Sequence, residues 1–313
     1  MAGSPTSSSR DSQTVSVSVV VPVRNGEAFV ADAIESVLDQ EDVSAELIVV
    51  DDGSTDGTAD VLARYDRRIA VADLEGRGVS AARNRGMALG RGELLVFLDA
   101  DDLLPPRYLA RFVEAAAAAP RAQVFHCGWR GVDFEDGRAL YGQDQPFDLD
   151  RDPFHVLAAA GSPPISALAV RRTAATRVGP FDENESLQAD WDYWLRLAAS
   201  GETFRGVPGN VAIIRRRDVS MSGSAGTELA VAGLAVLERH LSRHRRCAAC
   251  VHADAGLRSW REAVLRSSAR DYAHRLRLGG RTGRLVGAAV AVAYRPRLAS
   301  TAWLALRDRR RAV

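Results

Sequence analysis

The chain has 313 residues, of which 46% are hydrophobic and 26% charged, so it can bury one sizeable core, or a core plus a smaller appended domain. That excludes a disordered chain and a small disulfide scaffold. All 41 basic residues are Arg and none is Lys, which removes Schiff-base chemistry, Walker A phosphate loops and lysine-dependent phosphatases. The net charge of +1 hides an asymmetry: residues 1–224 carry 23 Arg against 34 Asp+Glu (−11), and residues 225–313 carry 18 against 6 (+12).

The first 14 residues are polar and Ser/Thr-rich, with no signal-peptide apolar stretch, and read as a disordered arm. From Val15, short β-branched runs alternate with amphipathic helical stretches, the pattern of strands joined by crossovers in a parallel sheet. Val15 to Val23, Leu47 to Asp51, Ile69 to Ala72 and Leu94 to Asp99 are the predicted strands. Glu27 to Leu38, Val79 to Leu89 and Tyr108 to Ala119 are the predicted helices between and after them, with a further helix from about Gly57. Val124 to Trp129 reads as another strand, and Gly131 to Asp152, rich in Gly and Asp, as a long loop or lid. A turn-rich segment from Val178 to Ser186 leads into a short amphipathic helix, Asp190 to Ala198, and then a late strand, Val211 to Ile214. Helices are expected from Glu228 onward. The overall expectation is an α/β domain over 15–224 followed by a basic helical extension over 225–313.

In an open α/β sheet, ligands bind beyond the carboxyl ends of the strands. Here those ends are acidic: Asp51, Asp52 and Asp56 follow the second strand, and Asp99, Asp101 and Asp102 the fourth. Carboxylates converging on one sheet edge repel unless a cation or an Arg sits among them. An extended Asp99-Ala100-Asp101 would put two hard oxygen donors on one side, suited to Mg2+ or Mn2+ held together with substrate phosphates. The structural alternative for both clusters is turn formation and helix capping.

Five segments together carry a family resemblance: Val19 to Pro22 with Arg24 and Asn25; Val50 to Asp56; Gly78 to Gly86; Phe97 to Asp102; and Asp190 to Leu197. In this order they resemble the family-two glycosyltransferases, inverting GT-A-fold enzymes that use nucleotide-sugar donors. The resemblance covers roughly residues 15–223. It implies a Rossmann-like, mostly parallel sheet flanked by helices, with Pro22, Arg24 and Asp52 lining a base and ribose pocket. Gly78 and Arg83 would lie near the nucleotide or its diphosphate. Asp99 and Asp101 would hold ribose and a divalent metal (Mn2+ or Mg2+) across Ala100, Asp102 would sit beside the sugar, and Asp190 would be the general base. Two departures stand out: Ala189 replaces a common Glu, and Arg217 stands where relatives often have His, where it can grip a diphosphate but not ligate a metal.

The implied partners are a nucleotide-sugar donor, a UDP-sugar by default, and a glycan, lipid-linked or small-molecule acceptor, with no nucleic acid. A non-catalytic nucleotide-sugar-binding module and a GT-A-like nucleotidyltransferase are the competing readings, the latter weakened because Val23 to Glu27 lacks a Gly-rich basic loop. Three cysteines, Cys127, Cys247 and Cys250, form no disulfide framework and fit a reducing, cytoplasmic setting. Cys247 and Cys250 lie near His240, His244 and His252, a spacing that invites zinc, although packed thiols are the favoured reading. The basic tail suits either peripheral contact with an anionic membrane or neutralisation of the acidic half. Leu285 to Tyr294, with the arginines after it, has interfacial character, and no apolar run is long enough to span a bilayer.

Overall fold

The structure, a computed structural model, describes residues 15–185, 187–216 and 226–241. The N-terminal arm, Arg217, Cys247, Cys250 and the stretch from Leu285 lie outside the described residues.

The first half folds as the alternation predicts. β1 (Val17–Val23), α1 (Val30–Leu38), β2 (Ala45–Asp51), α2 (Thr58–Ala63), β3 (Ala70–Asp73), α3 (Val79–Leu89) and β4 (Leu94–Phe97) follow in turn. All seven residues of β1 are buried, as expected of a central strand covered on both faces. Val17, Val19 and Val21 enter the main core, while Ile48 and Val50 face the other way and pack with Ala72 and Ala82 beneath α3. α3 lies very close to β1: a Cβ added at Gly86 would come within 2.2 Å of Val20 Cγ1.

Pro22 is tolerated inside β1 for a specific reason. The Val20 carbonyl accepts from the Leu98 N–H at 3.0 Å, so Pro22, two residues on, faces the same edge just past the end of β4. Its missing N–H therefore costs no ladder bond.

After α4 (Tyr108–Ala118) the pattern changes. β5 (Val124–Asp133), β6 (Ala139–Gln143), α5 (Pro153–Ala160), a 3-10 turn at Ile165–Ala167, β7 (Leu168–Arg171), α6 (Arg172–Val178), α7 (Ala189–Ala199), β8 (Phe204–Arg216) and α8 (Gly226–Leu241) complete the described chain. The eight strands form one sheet in the order β3-β2-β1-β4-β7-β5-β6, with β8 on the other edge of β5. The pairings within β3-β2-β1-β4 and between β5 and β8 are parallel; β7 is antiparallel to both β4 and β5, and β6 to β5. The segment expected as a loop or lid from Gly131 is therefore partly a hairpin, because β5 runs on to Asp133 and β6 returns along it.

Helix α7 is the most heavily buried helix. Trp191, Tyr193 and Trp194 are fully buried; Tyr193 stacks on Phe181 at 4.0 Å, and the Trp191 indole N–H donates to the Leu157 carbonyl at 3.0 Å. These side chains anchor α7 in the core.

Candidate active site

At the carboxyl ends of β1, β2 and β4 the chain leaves a cavity of about 630 Å3. Pro22, Arg24, Asp52, Gly78 and Arg83 line it, as do Asp99, Ala100, Asp101, Asp102 and Asp190. All the expected site residues within the described chain thus meet in one place, although they derive from five separate segments.

The second-strand cluster is mostly architectural. Asp51 Oδ1 accepts the Ser54 N–H and hydroxyl at 2.9 and 2.6 Å, and Asp56 accepts from the Thr58 and Glu27 N–H groups at 3.1 Å each. Asn25, held at a φ of 54°, accepts the Thr55 N–H at 2.8 Å and so ties the loop after β1 to the loop after β2. The turn and capping account therefore holds for Asp51 and Asp56.

Asp52 is different. It is 3% exposed, and its two oxygens accept the Arg77 and Gly78 N–H groups at 2.7 Å each. A residue adjacent to the cavity thus holds the loop that starts α3. Gly78 has a φ of 94°, which a side chain would strain, and α3 begins there with no side-chain cap. The guanidinium of Arg24 lies over the same loop, near Gly76.

The fourth-strand cluster departs from the extended geometry expected of it. β4 ends at Phe97, and the Asp102 N–H donates to the Asp99 carbonyl at 2.9 Å, so Asp99 to Asp102 form a turn. Asp99 Oδ1 accepts from Arg83 at 2.8 Å; the Arg83 side chain is buried, and its Nε has no hydrogen-bond partner among the described residues. The Asp102 carboxyl is buried. Removal from water, with Asp99 and Asp101 beside it, pushes this group well above the usual carboxylate range against the pull of Arg215.

Arg215, two residues before Arg217, ties this turn to the last strand. Its N–H donates to Asp102 Oδ1 at 2.9 Å, its Nε to the Asp101 carbonyl at 2.5 Å, and its Nη1 to Asp32 at 2.6 Å. Leu103 and Ile213 exchange backbone bonds at 3.0 and 3.1 Å in the same join. Arg216 also lines the cavity, with its guanidinium 5.5 Å from the Tyr141 ring centre. Arg215 and Arg216 stand directly before Arg217 in the sequence, and Pro164, Ile165, Leu187 and Leu229, which nothing in the sequence marked, form an apolar part of the wall.

Asp190 sits in the first turn of α7, where its Oδ1 accepts the Trp191 N–H at 2.8 Å. Burial pushes its carboxyl above the usual aspartate range. The Arg83 charge, the Trp191 N–H and the nearby Ser162 side chain pull the other way, and the Asp99 charge adds to the rise. A partly buried carboxylate whose proton affinity is raised by its surroundings is suited to taking a proton.

No group of three or more His, Cys, Asp or Glu among the described residues forms a ready metal-binding set. The donors at the turn are nevertheless hard oxygens, and Asp99, Asp101 and Asp102 stand close enough together that a divalent cation would relieve their mutual repulsion. These residues fit a cation shared between a carboxylate pair and a phosphorylated ligand.

The sequence pattern of Glycosyl transferase family 2 matches residues 18–177, just over half of the chain. Among curated proteins, the putative glycosyltransferase EpsH of Bacillus subtilis is 33% identical over 144 residues, covering 43% of this chain and 41% of EpsH. The chain thus matches about two fifths of that relative's length. Among solved structures, TarS 1–349 of S. aureus in complex with UDP-GlcNAc superposes with a TM-score of 0.56 at 20% identity, covering 84% of this chain and 87% of that one. The mannosyltransferase PcManGT of Pyrobaculum calidifontis, in complex with GDP-Man and Mn2+, gives 0.57 at 22% identity, covering 93% and 84%. At these identities the structural likeness is one of fold. With its parallel half-sheet, its acidic strand ends and just over half of its length matched, the chain belongs to glycosyl transferase family 2 and has the GT-A fold.

Proposed function

We propose that this glycosyltransferase moves a sugar from a nucleoside-diphosphate donor to an acceptor hydroxyl with inversion, and that Asp190 is the general base. The observation that carries this reading is the meeting of strand-end acids and Asp190 around one cavity. The nucleotide-bound neighbours of the same fold, with UDP-GlcNAc in one and GDP-Man and Mn2+ in the other, support the donor class.

In this reading the acceptor oxygen bonds to the anomeric carbon as the bond to the diphosphate breaks, and the hydroxyl proton passes to Asp190. The Asp190 carboxylate, which already accepts the Trp191 N–H at Oδ1, is the receiving group. Arg83 holds Asp99 in place and offsets the negative charge between Asp99 and Asp190. Val79, in the first turn of α3, also lines the cavity, where the N-terminal end of a helix favours an anion. Asp99 and Asp101 would hold Mn2+ or Mg2+, which when bound would supply positive charge to the departing diphosphate. Arg217 would add to that charge from just beyond Arg216. Residues 15–224 then form the transferase domain, and 225–313 a basic extension that begins with α8.

Calorimetric titration of UDP and GDP with and without Mn2+ tests the donor and the metal together. Binding strengthened by Mn2+ is expected. If neither nucleotide binds in either condition the reading fails, and binding without transfer or hydrolysis of any nucleotide sugar points to a non-catalytic module instead.

A further inference from the structure

The groups that flank Asp190 reach not into the transferase sheet but across to α8. Gln188, two residues before it and buried, donates from Nε2 to the Leu229 carbonyl at 3.2 Å. Asp192, two residues after it and 2% exposed, shares a 2.9 Å hydrogen bond through Oδ1 with Nε2 of His240, itself 4% exposed. The other oxygen of Asp192 accepts from Arg196 Nε at 2.8 Å, within α7. Arg239 adds a contact to Asp192 at 3.3 Å and reaches Glu185 at 3.4 Å. The helix that carries Asp190 is therefore fastened to α8 on both sides of it, and the Leu229 that α8 brings forms part of the cavity wall.

We propose that α8 is a clamp that sets the position of Asp190, and that His240 is its positioning residue. This rests on the reading of Asp190 as the base. A buried acid bonded to a buried imidazole is a directional link with little slack, and its loss leaves Asp192 Oδ1 with only the longer 3.3 Å contact from Arg239 on the α8 side. Loss of the link should let the first turn of α7 and the Leu229 wall drift together. The nucleotide end of the cavity would be spared, because it is built from β1, β2, β4 and α3 with no contribution from His240.

The test compares wild type, His240→Ala and His240→Gln in the full chain; the Gln amide restores a donor toward Asp192. Hydrogen exchange should quicken in 187–192 and 226–241 in His240→Ala while β1 to β4 stay at wild-type protection, and Gln should reverse much of the effect. With UDP-GlcNAc or GDP-Man hydrolysis as readout, kcat should fall about ten- to a hundredfold in His240→Ala with the donor KM unchanged. Gln188→Ala should produce the same pattern more weakly. Unchanged exchange at 187–192 in His240→Ala overturns the proposal, as does a loss of turnover that tracks weaker donor binding and is not rescued by Gln. If hydrolysis is too slow to follow, exchange decides alone. Failure of wild type to bind UDP or GDP is a separate result, counting against the proposed donor rather than the clamp.

Discussion

Asp52 provides the sharpest separation between a residue that builds the cavity and one that only contacts a ligand. Both of its oxygens are engaged by loop N–H groups at 2.7 Å, with 3% of the residue exposed. Hydrogen bonds to charged groups contribute about 1.5–3 kcal/mol each. Asp52→Ala, which removes both and leaves the Arg77 and Gly78 amides unsatisfied, is therefore expected to cost about 3–5 kcal/mol without any ligand. Asp52→Asn keeps one acceptor but turns an NH2 group toward the other N–H, for an expected loss of about 2–4 kcal/mol. At roughly 2–4 °C per kcal/mol for a domain of this size, Asn should lower the melting temperature by about 4–16 °C. The assay is urea or thermal unfolding of the nucleotide-free protein, followed by UDP titration of whatever remains folded. If ligand-free stability stays within about 0.5 kcal/mol of wild type while UDP affinity falls, Asp52 acts as a direct nucleotide contact and the loop-support argument is wrong.

Asp190→Asn should nearly abolish transfer and leave nucleotide affinity intact; near-normal turnover would remove Asp190 from the base role. Because burial raises the Asp190 carboxyl above the usual aspartate range, the base should lose activity at a higher pH than an exposed aspartate would. The acid limb of kcat should therefore lie to the alkaline side of the ordinary aspartate value, and a limb at or below that value contradicts the assignment. Gly86→Ala should destabilise by about 1–3 kcal/mol in chemical denaturation, since its Cβ would meet Val20 at 2.2 Å. Burial alone would raise the Asp192 carboxyl, but the His240 and Arg196 bonds and charges carry it below the usual range. A depressed native value means that its contribution to stability is complete above the unfolded aspartate pKa and is lost as pH falls through the native one. Acid titration of Asp192→Asn against wild type should show the two curves converging in that acidic window.

The parts of the fold legible in the sequence are those where one physical cause acts alone. Val17 to Val23 is a Val-rich buried run, and Leu47 to Val50 an unbroken apolar one that ends in Asp51, as buried parallel strands tend to be. The acids at their ends were readable for the same reason. β7 was not legible: it is four residues long, and its partners in β4 and β5 are distant in sequence. β8 was read as Val211 to Ile214 because Gly206, Pro208 and Gly209 break the pattern. The strand nonetheless continues through a bulge, its register stepping from Gly206 to Val211 while β5 advances only from His126 to Gly128. β6 buries little, leaving Leu140 and Tyr141 exposed, and so lacks the alternation that marks a half-buried strand. At the site, the convergence of acids was visible, but Asp52 was assigned to a ligand rather than to the Gly78 loop, because backbone N–H partners leave no trace in a sequence. Within the described residues of the basic half, Arg239 meets Asp182, Glu185 and Asp192.

The join between Asp102 and Arg215 spans 113 positions of chain. During synthesis the four parallel strands leave the ribosome first, with a half-formed pocket whose acidic turn still lacks the strand that later closes it. Until residue 215 emerges, that turn has neither its Arg215 nor its backbone link to Ile213, and the nascent domain stays open at its most highly charged corner. Truncations that keep only the front half should therefore give a chain that collapses but cannot finish its own floor.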